Sequence, residues 1–392
     1  MNRRFEGWSG RRGARGCAFL LATIAALSGC GGQTGQDSSS PPSFAAARSY
    51  ATGIGPGSVA IGDLNGDGKP DLATANGDAD SVSVLLNKGD GSFRAEPQYF
   101  IGDGGHPYSY SVAIGDLNGD GKPDLAIANG VADSASVMLN SGDGSLQAKR
   151  DYATGRGPNS VAIGDLNGDH KPDLAIANPN YEQTNTVSVL LNKGDGSFRA
   201  KREYSTGSDP GSVSIGDLNG DGKPDLATAN YNASSVSVLT NSGGGSFQAK
   251  VDYETGSTPS SLAIGDLNGD GKPELATANY NASSVSVLTN SGDGSFQAKV
   301  DYETGSTPSS LAIGDLNGDG KPELATANGD ADSVSVLANS GDGSFQANRD
   351  YATGDGPVSV AIGDLNGDGK PDLATANGIA GTVSVLANTT GL

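Results

Sequence analysis

Cysteine, histidine and tryptophan are nearly absent from this sequence of 392 residues. Both cysteines lie before residue 31, as does the one tryptophan, Trp8. A disulfide framework is therefore excluded for the rest of the chain, and another kind of interaction must hold its loops. The only histidines are His106 and His170, and no set of nucleophile, base and acid stands out. We therefore expect a protein that is not an enzyme.

Basic residues are also scarce, with 25 lysines and arginines against 45 aspartates and glutamates and a net charge of −20. No basic stripe is present that could neutralise phosphates, which argues against a nucleic-acid partner. The acidic residues are not spread evenly. Three of them stand in each of seven copies of one short loop, or 21 of the 45. The acidity is therefore a property of these loops rather than of the whole surface.

No hydrophobic run is long enough to span a membrane, since the longest one extends only from Cys17 to Leu27. It follows an arginine-rich start and precedes a Leu-Ser-Gly-Cys sequence that ends at Cys30, a pattern typical of a signal peptide. This ending resembles the lipobox of bacterial lipoproteins. In that family the peptide is cleaved before the cysteine, here Cys30, which then carries the lipid.

The N-terminal pattern predicts how the chain is exported and held. We expect a lipoprotein signal peptide over residues 1–29 and a flexible linker with a lipid anchor over residues 30–42. The expected location is the bacterial cell envelope, at the outer membrane or the cell surface, with membrane contact through the lipid only. Ordinary secretion is the alternative.

The string GDLNGDGKPDL, or a close variant, occurs seven times after this segment. The first aspartates of successive copies are 53, 49, 52, 49, 49 and 49 residues apart. Each of the first six units also holds four short runs of alternating apolar and polar residues, separated by turns rich in Gly, Asp and Asn, which predict four antiparallel strands. Four strands in about 50 residues are typical of a β-propeller blade.

The two ends of the repeat array complement each other. The seventh unit stops after its third strand, and the missing piece stands at the front of the array. There, Ser43-Phe44 and residues 48–53 align without a gap on Ser344-Phe345 and residues 349–354. We therefore predict an all-β fold over residues 43–392, a seven-bladed β-propeller of four-stranded antiparallel blades whose ring is closed by the N-terminal strand.

The repeated loop has the pattern D-x-N-x-D-G-x-x-D, in which oxygen-bearing side chains alternate. Calcium prefers six to eight oxygen ligands, and short carboxylates at alternate positions can converge on one ion. In the first copy Asp63, Asn65 and Asp67 offer side-chain oxygens, Lys69 offers its carbonyl oxygen, and Asp71 closes the shell. The flanking strands and the lack of a glutamate at the twelfth position exclude an EF-hand and suggest an affinity of roughly 10⁻⁴ to 10⁻³ M.

The same five positions recur in all seven loops, so about seven Ca²⁺ sites are expected. The predicted ligands are Asp63, Asn65, Asp67, Lys69, Asp71, Asp116, Asn118, Asp120, Lys122, Asp124, Asp165, Asn167, Asp169, Lys171, Asp173, Asp217, Asn219, Asp221, Lys223, Asp225, Asp266, Asn268, Asp270, Lys272, Glu274, Asp315, Asn317, Asp319, Lys321, Glu323, Asp364, Asn366, Asp368, Lys370 and Asp372. The alternative is seven hydrogen-bonded turns without metal, in which the carboxylates would repel each other.

Three residues depart from the loop pattern. His170 replaces the turn glycine of the third loop, where strain should weaken the site. Glu274 and Glu323 replace the last aspartate of the fifth and sixth loops, and their longer side chains can still reach an ion.

The loop and the downstream GDGSF turn resemble those of the FG-GAP/VCBS repeat family, whose propellers also form the head of integrin α-subunits. The likeness covers all seven units, and WD and kelch signatures are absent. In that family the calcium loop joins the first and second strands of a blade. The resemblance implies a calcium-stabilised surface propeller that acts as a binding or adhesion module.

The differences between units fall on the connections that should lie opposite the calcium loops. Loops on a rigid scaffold often carry recognition, and exposed tyrosines suit a carbohydrate or protein ligand. The candidate ligand-face residues are His106, Tyr108, Tyr110, Tyr181, Tyr231 and Tyr280. An alternative is that these connections vary because nothing constrains them. The alternative function is a propeller enzyme, a lyase or hydrolase, that acts on polysaccharide.

Overall fold

The chain folds into a ring of seven β-sheets. The computed structural model describes residues 41–101, 111–179 and 185–391, in which strands but no helices occur. The strands form seven antiparallel blades, and the first strand of each blade contacts the first strand of the next, with the seventh against the first. The predicted all-β, seven-bladed propeller is confirmed. Among the described residues, no helix could cross a bilayer.

The blades are numbered 1 to 7 along the chain, and their strands are counted from the centre outward. The first strands are Pro56–Gly62, Ser111–Gly115, Ser160–Gly164, Pro210–Gly216, Pro259–Gly265, Pro308–Gly314 and Pro357–Gly363. The second strands are Asp71–Asn76, Asp124–Asn129, Asp173–Asn178, Asp225–Asn230, Glu274–Asn279, Glu323–Asn328 and Asp372–Asn377. The third strands are Ser81–Asn87, Ser134–Met138, Thr186–Leu190, Ser235–Leu239, Ser284–Leu288, Ser333–Leu337 and Thr382–Leu386.

The fourth strands form the rim of the ring. In blade 1 this strand is divided into Phe93–Ala95 and Tyr99–Phe100, which both pair with the third strand. The others are Arg150–Ala153, Arg202–Ser205, Val251–Glu254, Val300–Glu303, Arg349–Ala352 and, for blade 7, Arg48–Ala51. Blade 4 also has a small hairpin of Asn241–Gly243 and Ser246–Phe247.

The hydrophobic core is divided among the seven junctions between blades. In blade 1, Leu72 packs against blade 7, whereas Ala73 and Ala75 in the same strand face blade 2. The side chains therefore alternate as the sequence predicts. The second strand is nevertheless buried along its whole length, because each blade is covered on both faces by its neighbours.

The innermost strands are joined by one repeated hydrogen bond. The Ser58 hydroxyl accepts the backbone N–H of Val112 in the next blade at 3.3 Å. The equivalent serine forms this bond at every junction, and at the last one Ser359 accepts the N–H of Val59 at 3.2 Å. The hydroxyl thus satisfies a donor on the inner edge of the sheet that no strand partner reaches.

The N-terminal strand closes the ring, as predicted. Residues Arg48–Ala51 pair with the third strand of blade 7. Phe44 packs edge-on against Tyr351 with ring centroids 5.1 Å apart, which reproduces the pairs at other junctions, such as Tyr302 with Phe345 at 5.3 Å. The Tyr351 hydroxyl also donates to the carbonyl of Pro42 at 2.5 Å. The front of the array therefore completes the last blade.

A buried asparagine ends the second strand of every blade. In blade 4 the Asn230 amide donates to Ser235 and Ser237, and its oxygen accepts the Thr228 hydroxyl at 3.0 Å. Blades 2 and 3 have isoleucine in place of this threonine, and there the oxygens of Asn129 and Asn178 have no partner. The threonine therefore serves to satisfy a buried carbonyl oxygen.

We predict that Thr228→Val lowers the free energy of unfolding by about 1–3 kcal/mol, because it leaves the Asn230 oxygen buried without a donor while the side-chain shape is kept. Denaturant titration measures the change. Thr228→Ser, which keeps the hydroxyl, is the matched control. A valine variant as stable as the parent would show that this hydrogen bond contributes nothing.

Candidate metal centre and ligand face

The seven oxygen-rich loops join the first and second strands of their blades, as predicted. They are loop 1 (63–71), loop 2 (116–124), loop 3 (165–173), loop 4 (217–225), loop 5 (266–274), loop 6 (315–323) and loop 7 (364–372). In loop 1 the Asp63 carboxylate accepts the backbone N–H groups of Gly66, Asp67 and Gly68 at 2.8 to 3.1 Å. These bonds fold the exposed loop around its first carboxylate.

Two further side chains of loop 1 also accept backbone N–H groups of the loop, one each. The Asn65 oxygen accepts the N–H of Asp67 at 2.9 Å, and an Asp67 oxygen accepts the N–H of Lys69 at 3.0 Å. The Lys69 ammonium lies 3.1 Å from the other Asp67 oxygen. Comparable lysine–aspartate pairs lie within 4.0 Å in loops 2 to 6.

The last acid of the loop lies behind it in the protein interior. Asp71 is fully buried, and its carboxylate accepts the N–H groups of Leu64, Asn65 and Asn87 at 2.7 to 3.2 Å. Burial raises the pKa of Asp71 to about 6, although these three donors act against the shift. Asp71 therefore ties both ends of the loop to the third strand.

The same burial acts on the last acid of the other loops. It raises the pKa of Asp124, Asp225 and Asp372 to about 6 and the pKa of Asp173 and Glu323 to about 7. The pKa of Glu274 is raised as well. Neighbouring loop aspartates add to these shifts, because like charges disfavour ionisation. A cation bound in the loop would act against these shifts, because positive charge favours the ionised carboxylates.

The donor set can be tested against the predicted ion. Within residues 41–101, 111–179 and 185–391, no three His, Cys, Asp or Glu side chains form a preassembled metal cluster. Each loop nevertheless presents carboxylate, amide and backbone oxygens within one turn. A carboxylate has about four acceptor sites, and Asp63 uses three of them for N–H groups. Oxygen donors without nitrogen or sulfur are what Ca²⁺ prefers, so the donor set fits.

The three departures from the loop pattern keep the same backbone fold. His170 adopts a positive φ of 63°, close to the 81° of the equivalent Gly68, so the histidine occupies the left-handed conformation that favours glycine. Glu274 and Glu323 accept the same buried N–H that aspartate accepts elsewhere, from Leu267 at 2.8 Å and from Leu316 at 2.7 Å. The longer side chain therefore still reaches its partner.

A set of asparagines beside these loops was not predicted from the sequence. They stand at one repeated position, at the last residue of the third strand in blade 1 and two residues after it in the other blades, and are almost completely buried. They are Asn87, Asn140, Asn192, Asn241, Asn290, Asn339 and Asn388. A sequence signal was present, since an asparagine precedes the Gly-rich turn in the first six units and stands at the equivalent position, Asn388, in the seventh, but these asparagines were interpreted as part of the turn.

The opposite face carries the turns between second and third strands and the connections between blades. Tyr231 and Tyr280 occupy the same position in blades 4 and 5, where blades 1, 2, 6 and 7 have glycine. Their rings lie 6.2 Å apart, tilted by 52°, and both side chains are partly exposed. The structure therefore brings two of the predicted ligand-face residues together. The other four, His106, Tyr108, Tyr110 and Tyr181, lie outside the described residues.

Polar groups surround this tyrosine pair. Asn232 donates to the Asp209 carboxylate at 3.0 Å, and the Thr258 hydroxyl accepts the N–H of Asn281 at 2.9 Å. Thr258 has a positive φ of 56°, which is a strained conformation for a β-branched residue. Its hydroxyl holds the turn that begins with Tyr280. The patch therefore combines aromatic faces with a carboxylate, an amide and a hydroxyl.

The profile of the FG-GAP-like repeat family matches this chain six times. The matches cover residues 63–127, 116–176, 165–228, 217–277, 266–326 and 315–375. Each extends from one oxygen-rich loop to just beyond the next, and together they span most of the propeller. The chain belongs to the FG-GAP-like repeat family. No curated protein matches it.

Two solved structures show the same fold. One is a lectin of Agrocybe aegerita that recognises non-reducing terminal N-acetylglucosamine, with a TM-score of 0.57 and 21% identity over 88% of this chain and 87% of that chain. The other is BBS1N in complex with ARL6DN, with a TM-score of 0.61 and 13% identity over 88% of this chain and 96% of that chain. At these identities the likeness concerns the fold.

Proposed function

We propose that this protein is a calcium-stabilised β-propeller that binds a carbohydrate or protein ligand at the bacterial cell surface. The observation that carries the proposal is the division between the two faces of the ring. One face repeats the same oxygen-rich loop in every blade, whereas the other differs between blades and presents the Tyr231–Tyr280 pair. A uniform face suits structural ions, and a varied face suits recognition.

The tyrosine patch has the chemistry of a ligand site. A partly exposed aromatic ring offers its face for stacking while its hydroxyl remains available for hydrogen bonds. The Asp209 carboxylate and the Asn232 amide beside it can hydrogen-bond hydroxyl or peptide groups. Support comes from the two similar folds, because one is a lectin and the other was solved in complex with a protein.

The calcium proposal assigns a role to the residues of each loop. In loop 1, Asp63, Asn65 and Asp67 would hold the ion with side-chain oxygens and Lys69 with its carbonyl. Asp71 would close the shell from the buried side, where its carboxylate also keeps the loop attached to the blade. Bound calcium supplies positive charge to a loop that otherwise crowds three carboxylates. The Lys69 ammonium, now beside Asp67, would compete with the ion for that carboxylate.

Lipid anchoring at Cys30 stays part of the proposal, and it has a consequence for orientation. The described chain begins beside the oxygen-rich loops, where Ser43 hydrogen-bonds Thr389 and Thr390 and the Lys370 ammonium reaches the Thr390 carbonyl at 2.8 Å. A linker of about a dozen residues spans roughly 20 Å on average. The loop face would therefore be directed toward the membrane, and the tyrosine pair outward.

A binding screen on glycan and protein arrays tests the ligand face. The parent protein is expected to bind a ligand that the double variant Tyr231→Ala/Tyr280→Ala binds at least about tenfold more weakly, an effect of about 1.4 kcal/mol. Ile379→Ala is the matched control, because Ile379 is exposed on the same face of blade 7. Its affinity should equal that of the parent.

Two outcomes would overturn the proposal in different ways. Equal affinity of the double variant and the parent would show that the ligand binds elsewhere. Cleavage of a bound glycan, detected by product analysis, would instead favour the propeller enzyme that acts on polysaccharide.

A further inference from the structure

The asparagines that follow the third strands connect the oxygen-rich loops of neighbouring blades. The Asn140 amide of blade 2 donates to the carbonyl of Leu64 in loop 1 at 2.7 Å and to the carbonyl of Pro123 in loop 2 at 2.9 Å. Its side-chain oxygen accepts the N–H of Gly142 at 2.8 Å. One side chain therefore holds two loops and a hairpin.

Asn140 contacts both loops at residues that directly neighbour predicted calcium ligands. Leu64 stands between the first two predicted ligands of loop 1, Asp63 and Asn65. In loop 2, Pro123 directly precedes the buried acid Asp124, which also accepts the backbone N–H of Asn140 at 2.8 Å. A change in the path of either loop must therefore move this side chain or break its bonds.

The arrangement recurs at every junction and closes on itself. Equivalent asparagines of blades 3 to 7 donate to the preceding loop at 2.7 to 2.9 Å. In blade 1, Asn87 reaches back across the closure to the carbonyl of Leu365 in loop 7 at 2.8 Å. All seven asparagines are at most 4% exposed. We call this closed set the asparagine belt.

A second contact supports the same connection. In blades 1, 2, 3, 5 and 6 the turn after the third strand lies against the loop of the preceding blade. In blade 2, for example, a side chain added at Gly144 would approach within 3.7 Å of the Asn65 Cβ. At the next junction Gly196 donates to the Leu117 carbonyl at 3.1 Å. Loop 1 is thus packed directly against blade 2 as well as bonded to it.

We propose that the asparagine belt couples the seven loops, so that calcium bound in one loop favours calcium binding in its neighbours. The inference rests on the proposed calcium binding and adds a regulation to it. An ion in loop 1 would order residues 63–67 and with them the Leu64 carbonyl. The Asn140 amide is then held in place, and it in turn holds the exit of loop 2.

The physical basis is a shared cost of ordering. A buried amide that loses its acceptor leaves both groups unsatisfied, which is costly in the protein interior. When one ion has already ordered a loop and its asparagine, the next loop needs less ordering of its own. This reduction in the free-energy cost of ordering the next loop is a coupling free energy, and it acts equally in both directions along the ring.

Hydrogen exchange of the full chain in 1 mM calcium can test the coupling. The double variant Asp63→Asn/Asp67→Asn disables loop 1. If the loops are coupled, amide exchange in loop 2 becomes faster by about fivefold or more in this variant, in the range typical of coupled sites. When Asn140→Leu is present as well, loop 2 should no longer respond to the state of loop 1.

Controls separate coupling from general damage. Asn129→Leu removes another buried asparagine of blade 2, one that bonds only within its own blade, and should leave the response of loop 2 intact. Asn140→Asp keeps the side-chain shape but has at most one donor, so it cannot bond both loops at once and should abolish the response as Asn140→Leu does.

The outcomes distinguish the two proposals. If calcium protects both loops in the parent but loop 2 ignores the disabled loop 1, only the coupling is wrong. If calcium protects neither loop in the parent, the calcium proposal fails and the coupling fails with it.

Discussion

Chelation of calcium with EDTA will lower the melting temperature of this protein by many degrees. A site with a Kd of about 10⁻⁴ M contributes roughly 1.4 kcal/mol at 1 mM calcium, so seven such sites approach about 10 kcal/mol. Without the ion, each loop crowds two partly or fully exposed carboxylates beside a buried acid, and burial raises the pKa of Asp71 to about 6. Differential scanning calorimetry with and without EDTA measures the difference.

Magnesium is the control for this experiment, because it demands a smaller octahedral shell and gives up its water reluctantly. Calcium added back to the chelated protein should restore the melting temperature, whereas magnesium at the same concentration should restore little of it. An unchanged melt in EDTA would mean that hydrogen bonds alone hold the loops.

Deletion of residues 43–53 will abolish cooperative unfolding of the ring. This segment supplies the fourth strand of blade 7, the Phe44 ring that packs on Tyr351 and the partners of Thr389 and Thr390. Without it, the third strand of blade 7 becomes an exposed edge, which invites aggregation. Size-exclusion chromatography and thermal unfolding of the shortened protein would show aggregates or a broad, weak transition.

Deletion of residues 31–40 is the matched control, since it removes a similar length of chain and leaves the strand in place. This variant should unfold like the parent. A protein that lacks residues 43–53 and still melts like the parent would contradict the closure described above.

The repeat pattern was sufficient to predict most of the fold. Gly, Asp and Asn turns at a constant spacing divided each unit into four strands, and the match of Ser43-Phe44 to Ser344-Phe345 revealed the closing strand. Both features are local or arise from self-similarity, which is visible in one sequence. The positions of the loops between the first and second strands followed in the same way.

The contacts between blades could not be predicted in this way. The belt asparagine Asn140 bonds a carbonyl 76 residues earlier, and Asn87 bonds one 278 residues away. No sequence pattern within one repeat identifies a hydrogen-bond acceptor in another repeat. The burial of the second and third strands on both faces likewise depends on the neighbouring blades rather than on the strand itself.

The arrangement of side chains on the ligand face could be predicted even less well from the repeat pattern. Tyr231 and Tyr280 are 49 positions apart in the chain, and only the ring geometry places their side chains 6.2 Å from each other. Their shared position in two adjacent blades was readable from the repeat, but the tilt of the rings and the strained Thr258 beside them were not.

Anomalous diffraction from crystals grown in calcium would show whether the loops bind the ion, because a bound ion gives a peak at its own position. A peak is expected in each oxygen-rich loop, at Asp63, Asn65 and Asp67 in loop 1 and at the equivalent residues of the other loops. Well-ordered loops without anomalous peaks, in crystals that hold millimolar calcium, would contradict the proposed calcium binding.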